Sequence, residues 1–251
     1  MSLYALPLKD PAAEPLAPAE FLRSAQGLSP EAARDFLAAN PGYLARGIRP
    51  GPAKALDEAA GRAGFPALLV AEEDLPAVPR PLPAARVSPR EGGFEAALPG
   101  TSVFVPYDSI RVLCAWAWDA AAVPDTAEAL KPELAARLAA LAGLKPPPPP
   151  SPAKDTFFRA DIVADAPEAS RIVLRPETLD FSPLAPARSY SSLANFRLLL
   201  DALSAPAFAA VKGPFLPAFL ASRPLAGLKA ASEEAADAGL SRLILLGRSG
   251  K

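Results

Sequence analysis

Histidine is absent from this chain, and cysteine and methionine each occur once. Without histidine there is no Ser-His-Asp triad, no imidazole general base and no histidine ligand for zinc or haem. Any chemistry is confined to carboxylates, lysine, serine or the backbone. The single cysteine, Cys114, cannot build a disulfide framework or a thiolate metal site, and its place in an apolar run marks it as a buried thiol. An excess of charge is missing too: 26 basic and 27 acidic residues give a formal net charge of -1, so no bulk field draws the chain to nucleic acid or to an anionic membrane. No apolar run reaches transmembrane length, and the N-terminal residues lack the basic region and long apolar stretch of a secretion signal. The expectation is a cytoplasmic protein with no stable membrane insertion and no nucleic-acid partner. No nucleophile elbow, dinucleotide fingerprint, zinc spacing or kinase set is present, so no catalytic, metal or cofactor residue is assigned and no cofactor is expected.

What is abundant is apolar residue and proline. Hydrophobic residues make up 51% of the 251 positions, enough for one large or two ordinary domains. The densest aromatic and apolar run is Thr101–Trp118. Val103-Phe104-Val105 reads as a strand ended by Pro106, Asp108-Ser109 as a tight turn, and Ile110–Trp118 as a second strand. Alternation puts Ile110, Val112, Cys114, Trp116 and Trp118 on one face and Arg111, Leu113, Ala115 and Ala117 on the other. Side chains as large as the two tryptophans anchor either a core or an interface.

Leu3–Leu8 reads as a strand. Ala19–Gln26 reads as a helix, and Ser29-Pro30-Glu31 opens another with Ser29 as N-cap and Pro30 at its first position. Tyr43–Ile48 is short and extended, Ala53–Ala63 is a helix stopped by Gly64, and Phe65–Ala71 is an apolar strand. Residues 1–74 thus form a small α+β domain. The residues Phe21-Leu22-Arg23 before Gly27-Leu28, the run Glu31–Leu37, the piece Tyr43–Gly47 and Lys54-Ala55-Leu56 leading to Ala63-Gly64-Phe65 resemble the C-terminal domain of the bacterial ribosomal stalk protein. The resemblance implies a helix-rich sandwich on a three-stranded sheet. That family contacts translational GTPases through lysines on a helix pair; here the exposed helix positions are mostly alanine, with Arg23, Arg34 and Lys54 among the few basic ones, which favours a generic binding or packing module.

Prolines 76, 79, 81 and 83 make 75–84 a semi-extended connector in which a helix or central strand is impossible. Residues 85–206 read as a β-rich domain of antiparallel meander type, interrupted at 125–155 by a helix and by the tract Pro146–Pro150, which reads as a stiff linker. The helix 190–203, with Ser192 as cap and Leu193, Phe196, Leu199, Leu200 and Leu203 on one face, closes this domain over its sheet. Strands closed by a helix, together with Val105-Pro106-Tyr107-Asp108-Ser109-Ile110, resemble a bacterial pleckstrin-homology-like domain. Such domains bind peptides, lipids or other subunits, and the clustered basic loop that phosphoinositide binding needs is missing here. Residues 207–251 are a helical extension in which Leu243–Leu246 reads as a final strand or a helix end. The fold class is therefore α+β, a small helix-rich α/β sandwich followed by an antiparallel β-rich domain closed by a helix.

The functional expectation is a non-catalytic protein-interaction or adaptor protein that takes a protein partner or self-associates. Its candidate interaction surface is Tyr107, Trp116, Trp118, Phe215 and Phe219. The alternative is an enzyme with a scattered carboxylate, lysine or serine site. The acidic clusters Glu72-Glu73-Asp74 and Glu233-Glu234-Asp237 read as solvated surface.

Overall fold

The computed structural model of the chain describes residues 2–121, 154–165 and 169–249. The helix and proline tract expected within 125–153 lie outside the described residues. Two compact units emerge, Met1–Trp118 with Phe158–Lys251, and Asp119–Phe157. In the described part of the second unit, Thr156 Oγ1 donates a hydrogen bond to Asp119 Oδ1 at 2.7 Å.

In the first unit, a continuous apolar run makes β1 (Tyr4–Pro7) the centre of an antiparallel three-stranded sheet, between β2 (Tyr43–Ile48) and β3 (Val70–Ala71). Three helices accompany it: α1 (Leu16–Gln26), α2 (Pro30–Ala39) and α3 (Pro50–Arg62). Helix α2 starts where Ser29 Oγ accepts the Ala32 amide at 3.1 Å, with Pro30 at the first helical position where no amide partner is needed. Leu6, Leu22, Leu37 and Leu44 meet in the core between sheet and helices.

Strands β5 (Arg86–Arg90), β6 (Gly93–Leu98) and β7 (Thr101–Pro106) form an antiparallel meander with Phe94 opposite Val105. A second sheet, in the order β4-β10-β9-β8, consists of β4 (Pro81–Pro83), β10 (Ser170–Leu174), β9 (Lys154–Ala164) and β8 (Ile110–Ala121). Helix α4 (Ser192–Ser204) buries Phe196, Leu199, Leu200 and Leu203 in the core of these strands, and the short α5 (Phe215–Leu220) adds Phe215 and Phe219. The α+β class is thus realised as two cores within one unit, one on either side of 75–84.

Three local differences from the sequence reading have physical causes, and at Leu243–Leu246 the helix is the alternative adopted. The proline-rich connector runs inside the first unit, and Pro81–Pro83 pairs in parallel with β10, so the second sheet is mixed; an edge position is where proline is tolerated in a sheet. Helix α4 is capped by Ser191, whose Oγ accepts the Ala194 amide at 3.3 Å, while Ser192 is already helical. Leu243–Leu246 continues α6 (Glu233–Ser249), whose carboxylates lie in the first turn and Arg248 in the last, both favourable to the helix dipole. Strand β8 is buried on both faces, and it is Leu113, Ala115 and Ala117 that join the main β core. The face carrying Trp116 turns instead to α6, where Trp116 Cη2 lies so close to Gly239 that a β-carbon there would stand 2.5 Å away.

Candidate functional site

Helix α6 carries Arg242 among Leu240, Leu243 and Ile244, a cation on an apolar face. Only 2% of Arg242 is exposed. Its Nε donates to the Leu8 carbonyl at 3.0 Å and its Nη2 to the Asp10 carbonyl, which ties the helix to the chain leaving β1. Gly42, at φ 80°, leaves room for this guanidinium: a β-carbon there would lie 2.2 Å from Nη1. Among the described residues no carboxylate is in ion-pair contact with it, and burial lowers its pKa to about 10, which leaves it charged at neutral pH.

Arg242 lines a cavity of about 360 Å³. Leu37 of α2, Trp116 of β8, Phe215 of α5 and Leu243 of α6 give it apolar walls, and its ionic residues are Arg34, Asp35, Lys229 and Arg242. Three cations therefore face one carboxylate. The indole N–H of Trp116 is buried without a hydrogen-bond partner, an uncommon state for a donor. At the mouth stands Leu16, 82% exposed and shared with the linings of two neighbouring grooves, one running past Phe65 and Pro66 and the other past Arg223 and Pro224.

A second polar centre is closed. Asp161 accepts Arg159 Nε at 2.9 Å and Arg171 Nε at 2.7 Å, and Asp237 Oδ1 accepts an Nη2 from each arginine at 2.7 Å. Glu233 accepts Arg159 Nη1 at 2.9 Å and also Arg175 Nη2. The guanidinium carbons of Arg159 and Arg175 stand 5.6 and 5.8 Å from the Trp118 ring centroid. Burial raises the pKa of Asp161, against the pull of Arg159 and Arg171. Three arginines meet three carboxylates, so this network is neutral and its donors are engaged internally. Glu233 and Asp237 are part of it, and Glu72 receives Arg46 Nη2 at 2.7 Å and the Gly47 amide at 2.8 Å, so neither acidic cluster is simply solvated surface.

Of the residues singled out from the sequence, Trp116, Trp118, Phe215 and Phe219 are interior, at 5%, 6%, 2% and 0% exposure. They therefore form no exposed surface, because β8 is covered by α6 and α5 folds into the β core. Trp116 and Phe215 are brought together at the cavity, whereas Trp118 lies in the arginine network and Phe219 stacks on Phe215 at 6.0 Å. Tyr107 is half-buried against Phe94. Arg242 and Lys229 carry no assignment from the sequence, where a lone arginine within Leu240–Leu246 is the available signal for the first, and Arg34 enters there only among the basic residues of the stalk-protein resemblance.

The cavity offers cations and one N–H donor, with the exposed Asp35 as its sole carboxylate. Burial pushes the nearby Cys114 thiol well above its usual range, the charge of Asp161 adding to it, so it stays protonated. This arrangement is suited to holding a ligand and lacks a paired nucleophile and base. No protein family, curated protein or solved structure matches this chain. No helix among the described residues is long and apolar enough to cross a membrane.

Proposed function

We propose that this chain is a non-catalytic adaptor of the cytoplasm that holds a partner protein at the cavity beside Leu16. The observation that carries the reading is an apolar cavity whose mouth joins two grooves around one highly exposed leucine, since exposed apolar side chains bordering a concavity mark binding sites. The buried Arg242 guanidinium in an otherwise apolar wall favours an occupant that is apolar and acidic. Within this proposal the likeness to pleckstrin-homology-like domains adds a precedent for peptide or subunit binding, and the stalk-protein likeness adds none for a ribosomal role.

The test places a photocrosslinking amino acid at position 16 and, separately, at the still more exposed Tyr190, in cells expressing the full chain. A discrete adduct at 16 that is absent at 190 is expected, its mass distinguishing a foreign partner from a second copy. Equal labelling at both positions, or none at 16, contradicts the reading.

A further inference from the structure

Arg242 is a buried cation held by two backbone carbonyls, with no anion in contact, in the wall of an apolar cavity. A charge in that setting is costly unless an anion answers it. Carbonyl acceptors satisfy Nε and Nη2 without neutralising the charge, and the Asp10 carboxylate acts on it only from beyond ion-pair distance. Nη1 lies against Gly42, itself a lining residue, and Trp116 brings to the same cavity a buried N–H with no acceptor. A buried guanidinium and a buried indole N–H, the latter beside only the Cys114 thiol, thus share a space otherwise walled by Leu37, Phe215 and Leu243.

We propose that the cavity is a seat for an apolar carboxylate, with the carboxylate at Arg242 and Trp116 and the hydrocarbon against Phe215 and Leu243. The inference rests on reading the cavity as the ligand seat of the adaptor and names the chemistry it selects. The same chemistry comes from two sources, the C-terminal carboxylate of a partner chain ending in an apolar residue, or a free medium-chain acid. A cavity of about 360 Å³ holds either end group. A phosphate or sulfate monoanion without a tail would leave the apolar walls unused. An amide keeps the shape and the tail but removes the charge that Arg242 answers.

Calorimetric titration of the full chain with octanoate and octanamide reads the charge preference. A second pair, the peptide acetyl-Ala-Ala-Leu-Phe with a free or an amidated C-terminus, reads the source. Octanoate, the free-carboxylate peptide or both are expected to bind at least about tenfold more tightly than the matching amide, the loss typical of a charge-assisted contact. Hexanoate is expected to bind about tenfold or more weakly than octanoate, at about fourfold per methylene. Arg34 sits on an exposed helical face, so Arg34→Glu keeps the fold while weakening the carboxylates about threefold or more and leaving the amides unchanged. Because Arg242 also ties two segments together, it is tested as Arg242→Lys with far-UV circular dichroism in parallel; Trp116→Phe keeps an aromatic ring and removes the N–H.

Preference for a carboxylate in either pair, weakened by Arg34→Glu, supports the seat and identifies its source. Equal affinity for acid and amide, or no saturable binding of either acid up to about 10 mM, overturns it. In that event a position-16 crosslink still upholds the adaptor reading by itself, and a missing crosslink beside tight octanoate binding upholds only the carboxylate seat.

Discussion

Replacing Asp161 with alanine removes the carboxylate that accepts Nε–H from both Arg159 and Arg171, and leaves two nearly inaccessible guanidiniums under-compensated. Breaking one side of a buried ionic group in this way costs about 3–5 kcal/mol, and urea denaturation should register a loss of that size. Glu72 gives a pH-dependent counterpart. Burial opposes its ionisation, but the Arg46 hydrogen bond, the Gly47 amide and the Arg46 charge together lower its pKa below 4.5. A carboxyl depressed on folding stabilises the native state above its unfolded pKa, and that contribution is lost as pH falls through the folded value. Glu72→Gln is therefore expected to cost about 1 kcal/mol at pH 7, with the difference from the unaltered chain closing as pH falls below about 4.5. A difference that grew on acidification would refute the assignment.

Helices show how much of the fold was written locally. The apolar stripe of 193–203, the Ser29 cap and the Pro30 start were legible because spacing and capping act within a few residues. The Ser191 cap was missed by one position because two serines stand side by side and the choice depends on which one is already helical. Ser191→Ala is expected to cost about 1 kcal/mol, against a few tenths for Ser192→Ala. Residues 243–246 admit either a strand or a helix end from sequence alone, since four apolar residues in a row have no period of their own, and the structure makes them helix. Glycines separate the helices further. At Gly61 of α3 an added β-carbon meets nothing within 4 Å, so Gly61→Ala should raise stability by about 0.5–1 kcal/mol. In α6, Gly239→Ala drives a β-carbon against Trp116 and should lower stability by about 1–3 kcal/mol. Thermal melts of the two variants should move in opposite directions.

At the level of the whole molecule, the two cores of the first unit lie on either side of the 75–84 connector, and α6 touches both. Arg242 reaches the Leu8 and Asp10 carbonyls, Ser241 Oγ donates to Pro76 O at 2.7 Å, and Gly239 receives Trp116. Heating should accordingly melt both cores together, with the near-ultraviolet signal of the tryptophans and the far-ultraviolet helix signal falling along one curve. Two separated transitions would mean that α6 does not couple them. The α+β class and the order of most elements could be read from periodicity and turn residues. The cavity could not, because Arg34, Trp116, Phe215, Lys229 and Arg242 come from three helices, a strand and a loop whose meeting is a matter of long-range packing. The size of the tryptophans says that they need cover, but alternation alone does not say whether the cover is a sheet or a helix about 120 residues further on.

Gly42 and Arg242 are two hundred positions apart in the chain and share one volume of space. They are consequently bound in descent. Any lineage that acquires a side chain at position 42 must shorten position 242, and in doing so gives up both the tether to the segment after β1 and the cation in the cavity wall. A residue other than glycine at position 42 therefore implies a smaller side chain at position 242, and the two positions change together.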